Sequence, residues 1–137
     1  MVFEGKVWKE GKDWLIEVPA LDLLTQGASR KNALEMVQDA IRMLLDKKSF
    51  TTQIELEKDG TFTLSAKDIN ALFSLFLKRQ RIKHGLTIRD VAKKMNSSSP
   101  TAYAQYESGK VSPTMAQAQK LLKIVGAAKE GLQFKVA

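Results

Sequence analysis

The sequence predicts an α+β protein: a small N-terminal antiparallel sheet with one helix, followed by an all-α segment. Three observations predict it. In the first 66 residues apolar and polar side chains alternate over several short runs, the period of a strand with one buried face. From Ser65 onward apolar residues recur every three or four positions between helix-capping signals, the period of amphipathic helices. The charge divides at the same place: residues 1–66 hold 9 Lys/Arg against 11 Asp/Glu, residues 67–137 hold 13 against 4, so a net −2 is followed by a net +9. The expected domains are 1–66 and 67–137.

Residues 3–9 (FEGKVWK) and 13–18 (DWLIEV) read as strands joined by Glu10-Gly11-Lys12, a glycine-bearing hairpin link. Pro19 ends the second strand because it cannot donate to a ladder. Residues 20–27 read as a short third strand running into a turn at Gly27. Ser29 then caps an amphipathic helix over 30–46, with Ala33, Leu34, Val37, Ile41 and Leu44 as its inward stripe. Residues 52–58 (TQIELEK) alternate as a fourth strand, Asp59-Gly60 is a two-residue turn signal, and 61–64 pairs back as a fifth. The order βββαβ(β) gives a sheet with one face covered by a helix.

Ser65-Ala66-Lys67-Asp68 reads as a capping box that opens a helix to Lys83, with Ile69, Leu72, Phe73, Phe76 and Leu77 as its apolar band and Gly85 as its stop. Thr87-Ile88-Arg89-Asp90 is another capping box. The helix it opens turns Ile88, Val91, Ala92 and Met95 to one side. Asn96–Pro100 stops that helix. Ser99 then caps the next one, with Pro100 where a missing amide costs nothing. Tyr103 and Tyr106 share one side of this helix, as core residues with polar tips, and Gly109 ends it. Thr114, with Gln117 as its return partner, opens a last helix that buries Ala118, Leu121, Leu122 and Val125 and ends at Gly126. Residues 132–136 (LQFKV) alternate like a strand.

Composition excludes several classes. The apolar content of 44% supplies a core. With no cysteine there is neither a disulfide framework nor a thiolate metal site. A single histidine, His84, leaves no His-based zinc site and no group to orient a catalytic imidazole; it reads as a helix-end residue. Glu55, Glu57 and Asp59 alternate along a strand; Glu55 and Glu57 share one strand face with no third ligand spaced to join them, and they read as an exposed face. No run approaches the roughly 20 apolar residues of a membrane span, and the N-terminus lacks a signal-peptide core. We expect a cytoplasmic protein with no catalytic residue, no metal and no cofactor.

Two short helices joined by a tight turn, in the basic half of the chain, suggest a helix-turn-helix that reads the major groove of double-stranded DNA. Ser99, Thr101, Ala102 and Gln105 are then the candidates for base edges: glutamine can bond adenine at two atoms, hydroxyls serve several bases, and an alanine methyl can meet thymine. Thr87, Arg89, Lys93, Lys94, Lys110 and Thr114 are the phosphate candidates, with Lys78, Arg79 and Arg81 on the preceding helix. Trp8 and Trp14, on neighbouring strands, either pack under the helix or line a partner surface. Glu4, Glu10, Asp13, Glu17 and Asp22 make the sheet region acidic.

Two resemblances cover nearly the full length. Trp14-Leu15-Ile16-Glu17-Val18-Pro19, Leu24-Thr25-Gln26-Gly27 and the helix through Ala33-Leu34-Glu35 and Ala40-Ile41 resemble the N-terminal domain of HicB antitoxins, a partial RNase H-like fold without its nuclease carboxylates. The whole second half, residues 67–137, resembles the helix-turn-helix of phage-repressor-like regulators, in the version fused to HicB antitoxins, with Ala102-Tyr103-Ala104-Gln105-Tyr106-Glu107 as its recognition segment. The resemblance implies an antitoxin that neutralises a HicA-like, mRNA-cleaving toxin and represses its own operon as a homodimer or homotetramer. It also implies that the acidic cluster covers the toxin, which makes Glu10, Asp13, Glu17 and Asp22 toxin-interface candidates, with Trp14 added as the tryptophan that could line that surface, and that Glu107 forms an internal salt bridge with a basic residue of the preceding helix. A repressor whose N-terminal domain senses a small ligand or another protein is the alternative. A metal-dependent nuclease would need clustered carboxylates, which the sequence does not display.

Overall fold

The computed structural model describes residues 1–97 and 99–126, and the expected strand at 132–136 lies outside them. The elements are β1 (Phe3–Glu10), β2 (Asp13–Val18), a 3₁₀ turn (Pro19–Leu21), β3 (Leu23–Gly27), α1 (Arg30–Leu45), β4 (Thr52–Leu56), β5 (Thr61–Ala66), α2 (Ile69–Lys83), α3 (Ile88–Lys94), α4 (Thr101–Glu107) and α5 (Met115–Ile124). The five strands form one antiparallel sheet in the order β3-β2-β1-β5-β4. A helical segment carrying the helix-turn-helix follows, so the α+β reading holds.

The strand register decides which side chains share a face. Val7 pairs with Ile16, Phe3 with Leu64 and Gly5 with Phe62. These residues, with Val18, point to one side, and all but Gly5 are buried. Both α1 and α2 pack on that side: Ala33, Val37 and Ile41 of α1 are fully buried there, and Phe76 of α2 stacks on Phe3 at 5.6 Å between ring centroids. The opposite face carries Glu4, Lys6, Trp8, Glu10, Asp13, Leu15 and Glu17.

α1 begins as its sequence dictates. Ser29 Oγ accepts the Asn32 amide at 3.0 Å, and Asn32 Oδ1 accepts the Ala28 amide at 3.0 Å. The helix can sit this close to β3 because of Gly27, where a Cβ would lie 2.5 Å from the Ala33 nitrogen. Its inward stripe differs by one position from the sequence expectation. The buried spacing runs 33, 37, 41 and on to the half-buried Leu45, so Leu44, about 100° round the helix, is 39% exposed.

Four other boundaries move. The third strand is shorter than expected, because Pro19–Leu21 winds into a 3₁₀ turn whose fixed proline φ suits a first helical position. β4 ends at Leu56, two residues before its alternation does. The β4–β5 connection runs over four residues, Glu57 to Gly60, not two: the Glu57 amide donates to Thr61 O at 2.8 Å across Lys58-Asp59-Gly60, with Gly60 at φ +92. α2 is capped by Asp68, whose Oδ1 accepts the Ala71 amide at 3.0 Å, and not by Ser65. Ser65 stays in the ladder opposite Gln53, since pairing continues to Ala66 and Thr52.

α2 is buried on nearly every side. Every residue from Ala71 to Leu77 is buried, and Gln80 again. The single apolar band read from the sequence is too narrow, and Ile69, assigned to it, is 55% exposed in the first turn. A helix apolar all round belongs inside a structure. α2 lies between the sheet with its 3₁₀ turn on one side and α4 on the other. One continuous core runs from Phe3 through α2 to Tyr103 and Leu121.

Candidate nucleic-acid interface

α3 is held at its start by a complete capping box. The Thr87 amide donates to Asp90 Oδ2 at 2.8 Å, and the Asp90 amide donates to Thr87 Oγ1 at 3.0 Å. The Thr87 backbone N–H, then its hydroxyl, hold the Asp90 carboxyl below the ordinary carboxylate range, with Lys93 and Lys94 adding to the effect. Val91 and Ala92 are buried, Ile88 and Met95 half-buried. Asn96 takes φ +57 just past the helix, a conformation asparagine tolerates.

The turn into α4 is tied by hydroxyls. Ser97 Oγ donates to Ser99 O at 2.8 Å, and Ser99 Oγ bonds Thr101 Oγ1 at 3.0 Å and accepts the Thr101 amide at 3.2 Å. The N-cap position belongs to Pro100, whose carbonyl accepts the Ala104 amide, so Ser99 supports the helix start from one residue further out than expected.

α4 has two unlike sides. Tyr103 is fully buried, and burial, reinforced by the neighbouring Glu107, pushes its phenol above the ordinary range. Tyr106 is half-buried against the same core. On the other side Thr101 and Ala102 are exposed, and Gln105, one turn after Thr101, shares its face. Thr101, Gln105 and Lys110 line one open concavity with Ile88, Ala104 and Ser108. Three of the sequence candidates are therefore brought together, and Ser99 joins them through Thr101.

The position of α4 is set by Arg81. Its guanidinium donates to Glu107 Oε2 from Nε at 2.8 Å and to Glu107 Oε1 from Nη2 at 2.7 Å, and Nη1 donates to Leu86 O at 2.9 Å. Arg81 is thus internal rather than a phosphate ligand. Its salt bridge is the one expected for Glu107, but it runs to α2 instead of to the helix just before α4. Arg79 is likewise engaged, with the carbonyls of Leu21 and Asp22. Both corrections have one cause: α2 is packed on two sides, so its arginines meet carbonyls and a carboxylate before they meet solvent. A further tie holds the loop after α4, where Asn70 Nδ2 donates to Gly109 O at 2.9 Å and Gly109 takes φ +78.

Of the remaining phosphate candidates, Arg89, Lys93, Lys94 and Lys110 are exposed, as is Lys78. The hydroxyls of Thr87 and Thr114 are engaged in capping boxes, the second with Gln117. His84 stands at the end of α2, its Nδ1 2.9 Å from Gln80 O, and its ring lies against Gly126.

The sheet candidates separate. Glu10, Asp13 and Glu17 lie on the opposite sheet face, which none of the described elements covers. Asp22 does not join them: it follows the 3₁₀ turn at φ +49, beside α2. Trp14 points to the helix side, where the Arg30 guanidinium sits 5.2 Å over its ring and the indole packs against the core. The tryptophan of the uncovered face is Trp8, paired with Leu15, and Leu24, paired with Glu17 and 62% exposed, extends the apolar strip. Strand parity alone separates Trp8 from Trp14, since Lys9, not Trp8, faces Trp14. Among the described residues no three His, Cys, Asp or Glu side chains group to hold a metal, and no helix is long and apolar enough to cross a membrane.

Residues 77–128 match the helix-turn-helix family. The match covers the end of α2 and all of α3, α4 and α5, the part of the chain with the basic excess. This segment is a DNA-binding helix-turn-helix of the kind transcription regulators carry. No curated protein matches the chain.

Proposed function

We propose that the protein is an antitoxin of the HicB type that represses its own operon. α4 reads the operator in the major groove through Thr101 and Gln105, with Ala102 and Ser99 at its margin, while Arg89, Lys93, Lys94 and Lys110 contact phosphates. The uncovered sheet face binds a small basic toxin of the HicA kind and blocks its RNA site by occupying it. No bond is broken by this protein, and it needs no metal or cofactor. It works in the cytoplasm as a homodimer or homotetramer, because one short helix covers little DNA and two copies read half-sites about 34–36 Å apart.

The observation that carries this reading is the opposition of two surfaces on one chain. One end offers a basic reader. The other offers Trp8, Leu15 and Leu24 in a frame of Glu4, Glu10, Asp13 and Glu17 against the single Lys6, which suits a cationic protein with an apolar anchor. Co-expression of the tagged full chain with the product of the neighbouring reading frame tests it. A stable complex that suppresses RNA cleavage supports the antitoxin. Absence of a complex removes it and leaves a DNA-binding regulator.

A second reading has one observation in its favour. A cavity of about 570 Å³ opens between the α1–β4 and β5–α2 connections, lined by Phe50, hydroxyls of Ser49 and Thr51, Gln53, and the Lys47–Asp68 pair. Its size and mixed lining suit a small polar ligand, as a ligand-sensing repressor requires.

A further inference from the structure

Three successive residues of α2 bond to both halves of the molecule. Arg79 Nε donates to Leu21 O at 2.8 Å and Nη2 donates to Asp22 O at 2.7 Å. Gln80 Nε2 donates to Ala20 O at 2.8 Å, and this side chain is fully buried. Arg81 then holds Leu86 O and Glu107, the start of the link to α3 and the last residue of α4. Three consecutive carbonyls at the end of the 3₁₀ turn are therefore taken by α2, one residue before the arginine that places the reading helix.

The energetics make this link stiff. Carbonyls at the end of a 3₁₀ turn lack intrahelical partners and carry the negative end of its dipole, so a guanidinium is a strong donor to them. Gln80 has no route to water, and breaking its bond leaves both the amide and the Ala20 carbonyl unsatisfied in the core. Asp22 adopts φ +49, a conformation uncommon for a residue with a side chain, which the Arg79 contact helps to hold. The 3₁₀ turn cannot shift without disturbing α2 at 79–80, and α2 cannot shift there without moving Arg81 and α4.

We infer that Arg79 and Gln80 are positioning residues for DNA reading, and that the connection between β2 and β3 at Ala20–Asp22 is the point through which the sheet half controls α4. A protein that binds β2 or β3 and disturbs this turn changes operator affinity, and by reciprocity operator binding changes affinity for that protein. The inference rests on the DNA-reading assignment of α4.

The test uses the full chain and a duplex selected by the wild-type protein from a random-sequence pool. Failure of the wild type to select any duplex defeats the DNA-reading assignment itself. Given a selected duplex, Gln80→Leu, which keeps the volume and removes the bond, is expected to lower affinity about tenfold, within the usual range of coupling between sites. The salt dependence of binding should be unchanged, since no phosphate contact is lost. Amide exchange in α4 should accelerate while that in α1 does not. Arg79→Lys, a milder change that preserves charge, should show the same pattern at smaller amplitude. Wild-type affinity and α4 exchange in both variants overturn the inference. So does wild-type affinity in Gln80→Leu beside a loss in the charge-removing Arg79→Gln that flattens the salt dependence, because Arg79 would then be a phosphate ligand.

Discussion

Arg81 and Glu107 face each other in a two-pronged ion pair, 2.8 and 2.7 Å, with the arginine side chain 14% and the glutamate 7% exposed. Hydrogen bonding to Glu107 raises the Arg81 pKa above its ordinary value, so the arginine is charged throughout the accessible range. A pair this buried gains its Coulomb attraction against a large desolvation cost. Its value lies in placing α4, and its vulnerability lies in losing one partner. Glu107→Ala should destabilise the fold by about 3–5 kcal/mol, because it strands a buried guanidinium. Arg81→Met combined with Glu107→Leu should recover most of that loss. Urea unfolding of Glu107→Ala and of the double variant measures both effects.

Gln105→Ala should weaken binding to a specific operator by about 1–3 kcal/mol and leave nonspecific binding nearly as it was. Lys110→Ala should weaken all sequences alike and flatten the salt dependence by about one unit. Titrations of operator and random duplex at several salt concentrations separate the two outcomes.

The capping box of α3 makes a pH-dependent contribution. Thr87→Ala removes one half of it and should cost about 1 kcal/mol at neutral pH. The Asp90 carboxyl has a folded pKa below its ordinary 3.8. Its contribution is therefore complete above the unfolded value and is lost as the pH falls through the lower folded one. Acid titrations should show that Asp90→Asn flattens this limb of the stability curve. An unchanged acid limb would remove Asp90 from the account.

The two tryptophans should respond differently to the same change. Trp14→Ala should lower stability by about 2–3 kcal/mol, somewhat under the full cost for a core aromatic because the indole is only half-buried. Trp8→Ala should leave thermal stability close to wild type and weaken binding of a basic partner to the sheet by about 2 kcal/mol or more. Calorimetric melting paired with titration of the partner distinguishes them.

Much of this molecule is local and therefore readable in one dimension. Ser29, Thr87 and Thr114 cap the helices they were expected to cap, because a cap is satisfied by an amide three residues on. Period two separated Ile16 and Val18 from Leu15 and Glu17, and the helical period placed Val91, Ala92, Ala118 and Leu121 inward. The charge division pointed to the segment that matches the helix-turn-helix family.

What the sequence could not reach depends on partners far along the chain. Alternation sorts a strand into two faces but does not say which face a helix covers, so Trp8 and Trp14 exchanged roles only when the register of β1 and β2 met α1. Asp68 displaced Ser65 as a cap because pairing with β4 held Ser65 in the sheet. A basic run on α2 looks the same whether it faces phosphate or carbonyl. Arg79 and Arg81 became internal ties because residues 58 and 26 positions away supply acceptors in a core that only the folded chain assembles. The amino-acid sequence by itself determined the order of the elements, the caps at Ser29, Thr87 and Thr114, and the segment that carries the reader. The tertiary structure decided which surfaces are open, and fastened the reader to the sheet.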